Sequence, residues 1–410
     1  MGPILVTGLV GGCIGALYML ALRELTDWLG PDAWGGGEHL VVLVLTGAVV
    51  SLLIHTLGTP SDVELLVNNI HVHGGTEEVR GLRALIPASL VGVAAGSAIG
   101  PEAPLVTTTG TIGSVLAGKR GLSREDTRVV AITGMAAGFT VLFGAPFGSA
   151  VFALEILHRR GLEYHEALMP AIVGSLCGYA VAAVAGVVGL EPIWRFPPVV
   201  ELSGIDLGLG LLAGVIGAIV AAAFTALTVV LRRVVGWIPA GLRPPVGGLV
   251  LGLLGIVTPY ALTNGEFQME HLAEADEAAI VLVGFAAIKL FSAAVAMVCG
   301  WKGGFIIPLF FAGFTIGLAL EGYLPESAHS WSLILALMVA CNVGVTKTAL
   351  GSTLVVSEMA GFATLPTTLI AAIVSLVLTS EIGLIDTQRR RLSVDVDGPD
   401  MGGIDHAAVA

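Results

Sequence analysis

Glu102 is a lone carboxylate in the stretch Gly96-Ser97-Ala98-Ile99-Gly100-Pro101-Glu102-Ala103-Pro104-Leu105-Val106, set between two prolines inside a strongly apolar sequence. An ionised glutamate at the centre of a membrane helix costs about 2.5 to 3.5 kcal/mol on insertion scales, so a residue kept there is a candidate for moving ions or protons. The plain alternative is a carboxylate in a short water-facing loop. A second copy of the stretch argues against it. Gly304-Phe305-Ile306-Ile307-Pro308-Leu309 repeats the glycine, proline and leucine of Gly100, Pro104 and Leu105 at an offset of 204 residues, with Ile306 where Glu102 stands. The shared residues describe a backbone shape that both copies need, whereas the carboxylate belongs to one copy alone.

Anion handling is the chemistry that suits this pattern. A small anion in a membrane must be desolvated and held without being trapped. A full positive charge holds it too firmly, while main-chain N–H groups at a helix N-terminus supply partial charge and directed donors. Gly-x-x-x-Pro at the start of an apolar helix serves this purpose. Glycine lets the backbone approach the ion, and proline near the first turn gives up an N–H that has no intrahelical partner. Gly100, Pro101 and Ala103 in one copy and Gly304, Phe305, Ile306 and Ile307 in the other are therefore the candidate anion-binding residues. Glu102 is the candidate gate, competing with the anion when ionised and vacating when protonated.

Other polar residues in apolar segments carry weaker signals. Thr107, Thr108 and Thr109 could offer hydroxyls to an anion, although threonine in membrane helices more often bonds back to its own backbone. Glu155 and Glu358 sit at matched positions and read as capping or interfacial residues. Lys347 either attracts anions or snorkels. An intramembrane hydrolase with Ser97 or Ser149 as nucleophile needs a base beside the serine, and the histidines fall in loop-like stretches or near segment ends, so no enzyme is expected. His55, His71 and His73 show no ligand geometry, and Cys13, Cys177, Cys299 and Cys341 lie singly, so neither a metal nor a cofactor is expected.

The elements that must position these residues are membrane spans. Of 410 residues, 55% are hydrophobic and 12% charged, and the mean hydropathy is +0.91. This is the composition of a polytopic membrane protein surrounded by lipid. The 56 glycines read as helix-packing surfaces. A net charge of −12 with no basic patch excludes nucleic acid as a partner. The N-terminus lacks the basic region of a cleavable signal, so the first span is expected there.

Apolar segments fall near 3–22, 40–57, 83–99, 102–118, 129–154, 166–190, 207–231, 245–264, 278–299, 303–320, 331–356 and 366–385. Short, interrupted segments at corresponding places in two halves point to a transport site. Two more blocks repeat in order. Gly8-Leu9, Gly12 and Ile14-Gly15 match Gly210-Leu211, Gly214 and Ile216-Gly217, and Gly148-Ser149 and Glu155 match Gly351-Ser352 and Glu358. The expected organisation is a first membrane repeat over 1–190, a linker over 191–204, a second repeat over 205–388, and a short, disordered cytoplasmic tail over 389–410. Basic clusters at Lys119 to Arg128, Arg159-Arg160, Arg232-Arg233 and Arg389-Arg390-Arg391 mark the cytoplasmic side.

These motifs resemble the CLC family of chloride channels and proton-coupled chloride transporters. Gly100-Pro101-Glu102-Ala103-Pro104 is similar to its Gly-Lys/Arg-Glu-Gly-Pro motif, whose glutamate is the gate, and Gly303-Gly304-Phe305-Ile306-Ile307-Pro308 to its Gly-x-Phe-x-Pro region. Thr133-Gly134-Met135-Ala136-Ala137-Gly138, Phe143-Gly144-Ala145-Pro146-Phe147-Gly148 and Val356-Ser357-Glu358-Met359 also resemble family stretches. The resemblance implies an all-α inverted repeat of tilted, partly re-entrant helices. It also implies a multi-pass protein of the plasma (inner) membrane, a homodimer with one pathway per subunit, and cytoplasmic termini.

The departures are specific. The family's early anion-contacting serine falls near Leu57-Gly58-Thr59, with Leu57 in its place, and its late tyrosine falls near Phe362, so both hydroxyls are missing. These four residues are the pathway candidates. The inner glutamate of proton-coupled members appears as Ile156. The expected function is transport of a small anion, chloride first, gated by Glu102, with a fluoride/proton antiporter as the alternative and protons as a candidate second ion.

Overall fold

The structure is a computed structural model that describes residues 1–61, 79–157, 165–187 and 201–385, together with 193, 194, 196, 197 and 199. The tail expected over 389–410 lies outside the described residues, as do His71 and His73. The described chain is all-α, in fifteen helices: α1 (Gly2–Leu29), α2 (Gly36–Leu57), α3 (Leu82–Ala94), α4 (Glu102–Lys119), α5 (Arg124–Phe143), α6 (Pro146–Glu155), α7 (Leu168–Val184), α8 (Gly204–Val235), α9 (Arg243–Val257), α10 (Glu266–Glu274), α11 (Ala279–Val298), α12 (Ile306–Glu321), α13 (Ser330–Thr346), α14 (Ala349–Ala360) and α15 (Leu365–Leu378). Six helices among the described residues are long and apolar enough to cross a membrane, and others are short apolar pieces.

Two segments that read as single spans, 129–154 and 331–356, are each broken in two. The first breaks at Gly144, with φ 65 and ψ 17, after which Pro146 opens α6. The second breaks at Lys347, with φ 66 and ψ 20, before α14. The positions are 203 residues apart, so the two halves make the same left-handed break. Glycine adopts that conformation without penalty and lysine does not. The Lys347 ammonium compensates by donating to Gly344 O at 2.5 Å and to Thr379 O and Oγ1 at 2.7 and 2.8 Å. Lys347 is buried and neither snorkels nor lines the cavity described below.

The halves are built alike. In the first, α1 packs on α5 and α7; in the second, α8 packs on α13 and α15. Glycines allow the close approach: a Cβ on Gly12 would lie 3.0 Å from Gly178 Cα, and one on Gly214 would lie 2.5 Å from Val374 Cβ. The halves also exchange capping groups. Glu155, at the end of α6, accepts from the Leu350 and Gly351 N–H groups in the first turn of α14, at 3.1 and 2.6 Å. Glu358, in α14, accepts from the Phe147 N–H in the first turn of α6 at 2.9 Å. Each carboxylate thus covers helix-start N–H groups that lack intrahelical partners in the other repeat. This reciprocity is what an inverted repeat produces along its pseudo-twofold axis.

Lys289 is a buried cation that hydropathy alone conceals inside α11. Its ammonium donates to Leu262 O, Thr263 O and Gln268 Oε1 at 2.6, 2.8 and 2.8 Å and lies 4.9 Å from the Phe311 ring centroid. It therefore ties the segment before α10, and α10 itself, to α11 and α12. Lys289→Met strands three acceptors and is expected to lower stability by roughly 2–4 kcal/mol, read as a fall in the unfolding midpoint in detergent.

Candidate functional site

The site forms where α4 and α12 begin. Gly100 and Gly304 face each other as an isolated antiparallel bridge, with Gly100 N donating to Gly304 O at 2.9 Å and Gly304 N to Gly100 O at 2.7 Å. Two residues 204 apart in sequence thus bring the two helix starts together. A main-chain pair of this kind satisfies four backbone groups that would otherwise be stranded in an apolar interior.

Glu102 is the first residue of α4 and is fully buried. Its Oε1 accepts from the Ile307 N–H, in the first turn of α12, at 2.7 Å. The carboxylate of one repeat therefore occupies the anion-binding end of a helix from the other, where the N-terminal dipole and a directed donor favour negative charge. Its second oxygen, Oε2, has no hydrogen-bond partner among the described residues. The two glycines make room for it, because a Cβ on either Gly100 or Gly304 would collide with the Glu102 carboxyl group.

A cavity of about 180 Å³ runs from this carboxylate. Glu102, Ala103, Val106 and Thr107 line it from α4, as two pairs, 102 with 106 and 103 with 107, each four residues apart and so stacked along the helix. Gly304, Phe305 and Ile306 line it from the opposite helix start, with Met135, Phe139 and Ile156 along another wall. Gly100 and Ile307 take part through their backbones. Pro101 stands just before α4 and does not face the cavity.

The remaining sequence candidates fall elsewhere. Leu57, Gly58 and Thr59 are exposed at the end of α2 and do not line the cavity, and neither does Phe362, which is 56% exposed in a short turn between α14 and α15. Phe362 misses because the chain after α15 returns to the site, so Leu384 and Ile385 form the late wall instead. That wall carries no hydroxyl. Ser97 and Ser149 are buried without hydrogen-bond partners among the described residues, so neither has a base in bonding contact.

The three threonines separate. Thr108 and Thr109 bond back to Pro104 O and Leu105 O at 2.7 and 3.1 Å, whereas the Thr107 hydroxyl has no partner among the described residues and, of the three, Thr107 lines the cavity. Two further residues were missed by sequence reasoning. Arg232, at the last turn of α8, and Lys302, two residues before Gly304, both line the cavity. Arg232 had served only as a marker of the cytoplasmic side; Lys302 was visible as a charge next to the second glycine motif.

Comparison with known proteins agrees with this geometry. Residues 46–380 match the family described as voltage gated chloride channel. The chain is 27% identical over 405 residues to a chloride/fluoride channel protein of Pseudomonas syringae pathovar tomato, covering 93% of this chain and 84% of that one. It is also 27% identical over 303 residues to a voltage-gated ClC-type chloride channel of Escherichia coli, covering 71% of each. Among solved structures, a CLC-type fluoride/proton antiporter superposes with a TM-score of 0.80 at 20% identity, over 94% of this chain and 96% of that one. A slow cyanobacterial chloride/proton antiporter gives 0.81 at 18% identity, over 93% and 94%. A match over most of the chain, on a fold whose two inverted halves meet at Gly100, Glu102 and Gly304, shows that this integral membrane protein belongs to the CLC family of chloride channels and transporters.

Proposed function

We propose that the protein carries a small inorganic anion, chloride first, along the cavity beneath Glu102, with Glu102 as the gate. One observation carries this reading: the Glu102 carboxylate sits 2.7 Å from the Ile307 N–H, in the place a transported anion would take at the start of α12. Protonation weakens that bond and frees the N–H, which couples site occupancy to pH. The backbone N–H groups of the second glycine motif bind the ion in its absence. Arg232 and Lys302 give the cavity a cationic lining, and basic residues at helix ends mark the cytoplasmic side.

Fluoride/proton antiport is the second reading. It is favoured by the apolar wall at Leu384 and Ile385, where no hydroxyl faces the pathway, and by the name of the Pseudomonas relative, which includes fluoride. A homodimer with one pathway per subunit completes the proposal. Exposed apolar residues on α7 and α15, among them Met169, Leu176, Ile373 and Val377, offer a face for it. Proteoliposome efflux of chloride, fluoride and nitrate, with and without a pH gradient, tests the reading. Chloride efflux is the expected result; uphill proton movement driven by a fluoride gradient would select the antiporter, and no flux of any of the three would overturn both.

A further inference from the structure

One threonine that lines the cavity carries a buried hydroxyl with no hydrogen-bond partner among the described residues. Thr107 is fully buried, its side-chain oxygen has no hydrogen-bond partner among the described residues, and it lines the cavity one turn beyond Ala103 on α4. The neighbouring threonines show that a partner was within reach. Thr108 and Thr109 donate to the carbonyls of Pro104 and Leu105 four residues back, which is the ordinary way a helix satisfies a buried threonine. An orphaned hydroxyl costs free energy unless something visits it.

The surroundings say what kind of visitor fits. The charged residues among the described lining are Glu102, Arg232 and Lys302. Arg232 comes from the last turn of α8 and Lys302 from the segment just before Gly304, while Glu102 comes from the start of α4. A site flanked by cations and closed by a carboxylate that itself occupies a helix N-terminus suits a small anion. Such an ion needs donors after it leaves water, and the walls at Met135, Phe139, Ile156, Leu384 and Ile385 supply none from their side chains. Thr107 stands five residues beyond Glu102, about 7.5 Å further along α4.

We propose that the Thr107 hydroxyl donates a hydrogen bond to the transported anion in this cavity, making Thr107 a selectivity-determining residue as well as a step on the pathway. This rests on the anion-transport reading. Fluoride is the smaller ion and the stronger hydrogen-bond acceptor, so it depends on such a donor more than chloride does. Arg232 and Lys302 act on both ions alike through their field, and so contribute concentration rather than choice.

Thr107→Val removes the hydroxyl at nearly constant shape, and Thr107→Ser keeps it. The test is initial efflux from proteoliposomes as a function of chloride and of fluoride concentration, with the unfolding midpoint in detergent measured on the same preparations. The Val variant is expected to raise the half-saturating fluoride concentration about tenfold and the chloride one by a smaller factor. Its midpoint should be unchanged or higher, because an unpaired buried hydroxyl has been removed. The Ser variant should transport as the wild type does. A purely structural threonine would give the opposite result, a lower midpoint with equal effects on both ions, and that outcome overturns the proposal. Unaltered half-saturation in the Val variant overturns it as well. If the wild type carries neither ion, the anion reading falls and this proposal with it. Transport by the wild type with no change in the Val variant removes Thr107 alone.

Discussion

Replacing Glu102 by Gln is expected to abolish the pH dependence of anion flux and to change its rate at neutral pH by tenfold or more. The side chain now accepts from the Ile307 N–H at 2.7 Å, and a charge-assisted bond of this kind contributes roughly 1.5 to 3 kcal/mol. Gln keeps the shape and loses the charge, so it mimics the protonated gate at every pH. Flux through the wild type should rise as pH falls, since protonation weakens the bond that closes the site, and the variant should follow a flat profile. Gly100→Ala offers an independent approach to the same gate. The nearest atoms to a Cβ at Gly100 are all in the Glu102 carboxyl group, and Gly100 is not among the positive-φ glycines. The methyl group should therefore push the carboxylate off Ile307 while leaving the backbone alone. Combining Gly100→Ala with Glu102→Ala should add little to Glu102→Ala by itself, a non-additivity expected of two changes acting on one contact. Additive effects would place the consequences of Gly100→Ala somewhere other than the gate.

The second large effect concerns stability. Glu155→Ala strands the Leu350 and Gly351 N–H groups at the start of α14, which accounts for an expected loss of roughly 2–4 kcal/mol. Glu155→Gln retains one acceptor and should lose about half as much. Glu358→Ala should cost less than Glu155→Ala, because Glu358 is less buried than Glu155 and so strands the helix-start N–H groups of α6, Phe147 among them, in a wetter place. Unfolding midpoints in detergent check the order. A transport defect in Glu155→Ala without any loss of stability would instead make this carboxylate a functional group.

Much of the architecture was legible because the repeat is written in glycines and prolines. Gly100 and Gly304 match at an offset of 204 residues, and the structure joins that pair main chain to main chain. The pairing of Glu155 with Glu358 was visible too, with a capping or an interfacial role expected of both; that they cap, and which N–H groups, was not, since each partner lies about 200 residues away. The break at Lys347 was hidden. A left-handed lysine follows no local rule, and becomes readable only when its glycine counterpart at 144 is seen at the same φ and ψ.

The pathway shows the same division. Hydropathy and the lone carboxylate singled out Glu102 and the two helix starts, since an apolar sequence has few reasons to keep a charge or a matched Gly-x-x-x-Pro. The opposite wall could not be found that way. Leu57, Gly58, Thr59 and Phe362 were nominated by alignment of motifs, yet the described cavity is closed by Leu384 and Ile385 and charged by Arg232 and Lys302. Apolar residues carry no local mark of the surface they will face.

By itself, the sequence determined the membrane class, the twofold repeat, the helix starts and the gate candidate, because these depend on composition and on backbone chemistry that specific residue types impose locally. Tertiary structure alone decided that the Glu102 carboxylate rests on Ile307, that Thr107 of three adjacent threonines lines the cavity, and that cations from α8 and from the segment before α12 line it. Those contacts join residues far apart in the chain, and their geometry is set by how short helices from two inverted halves pack against one another.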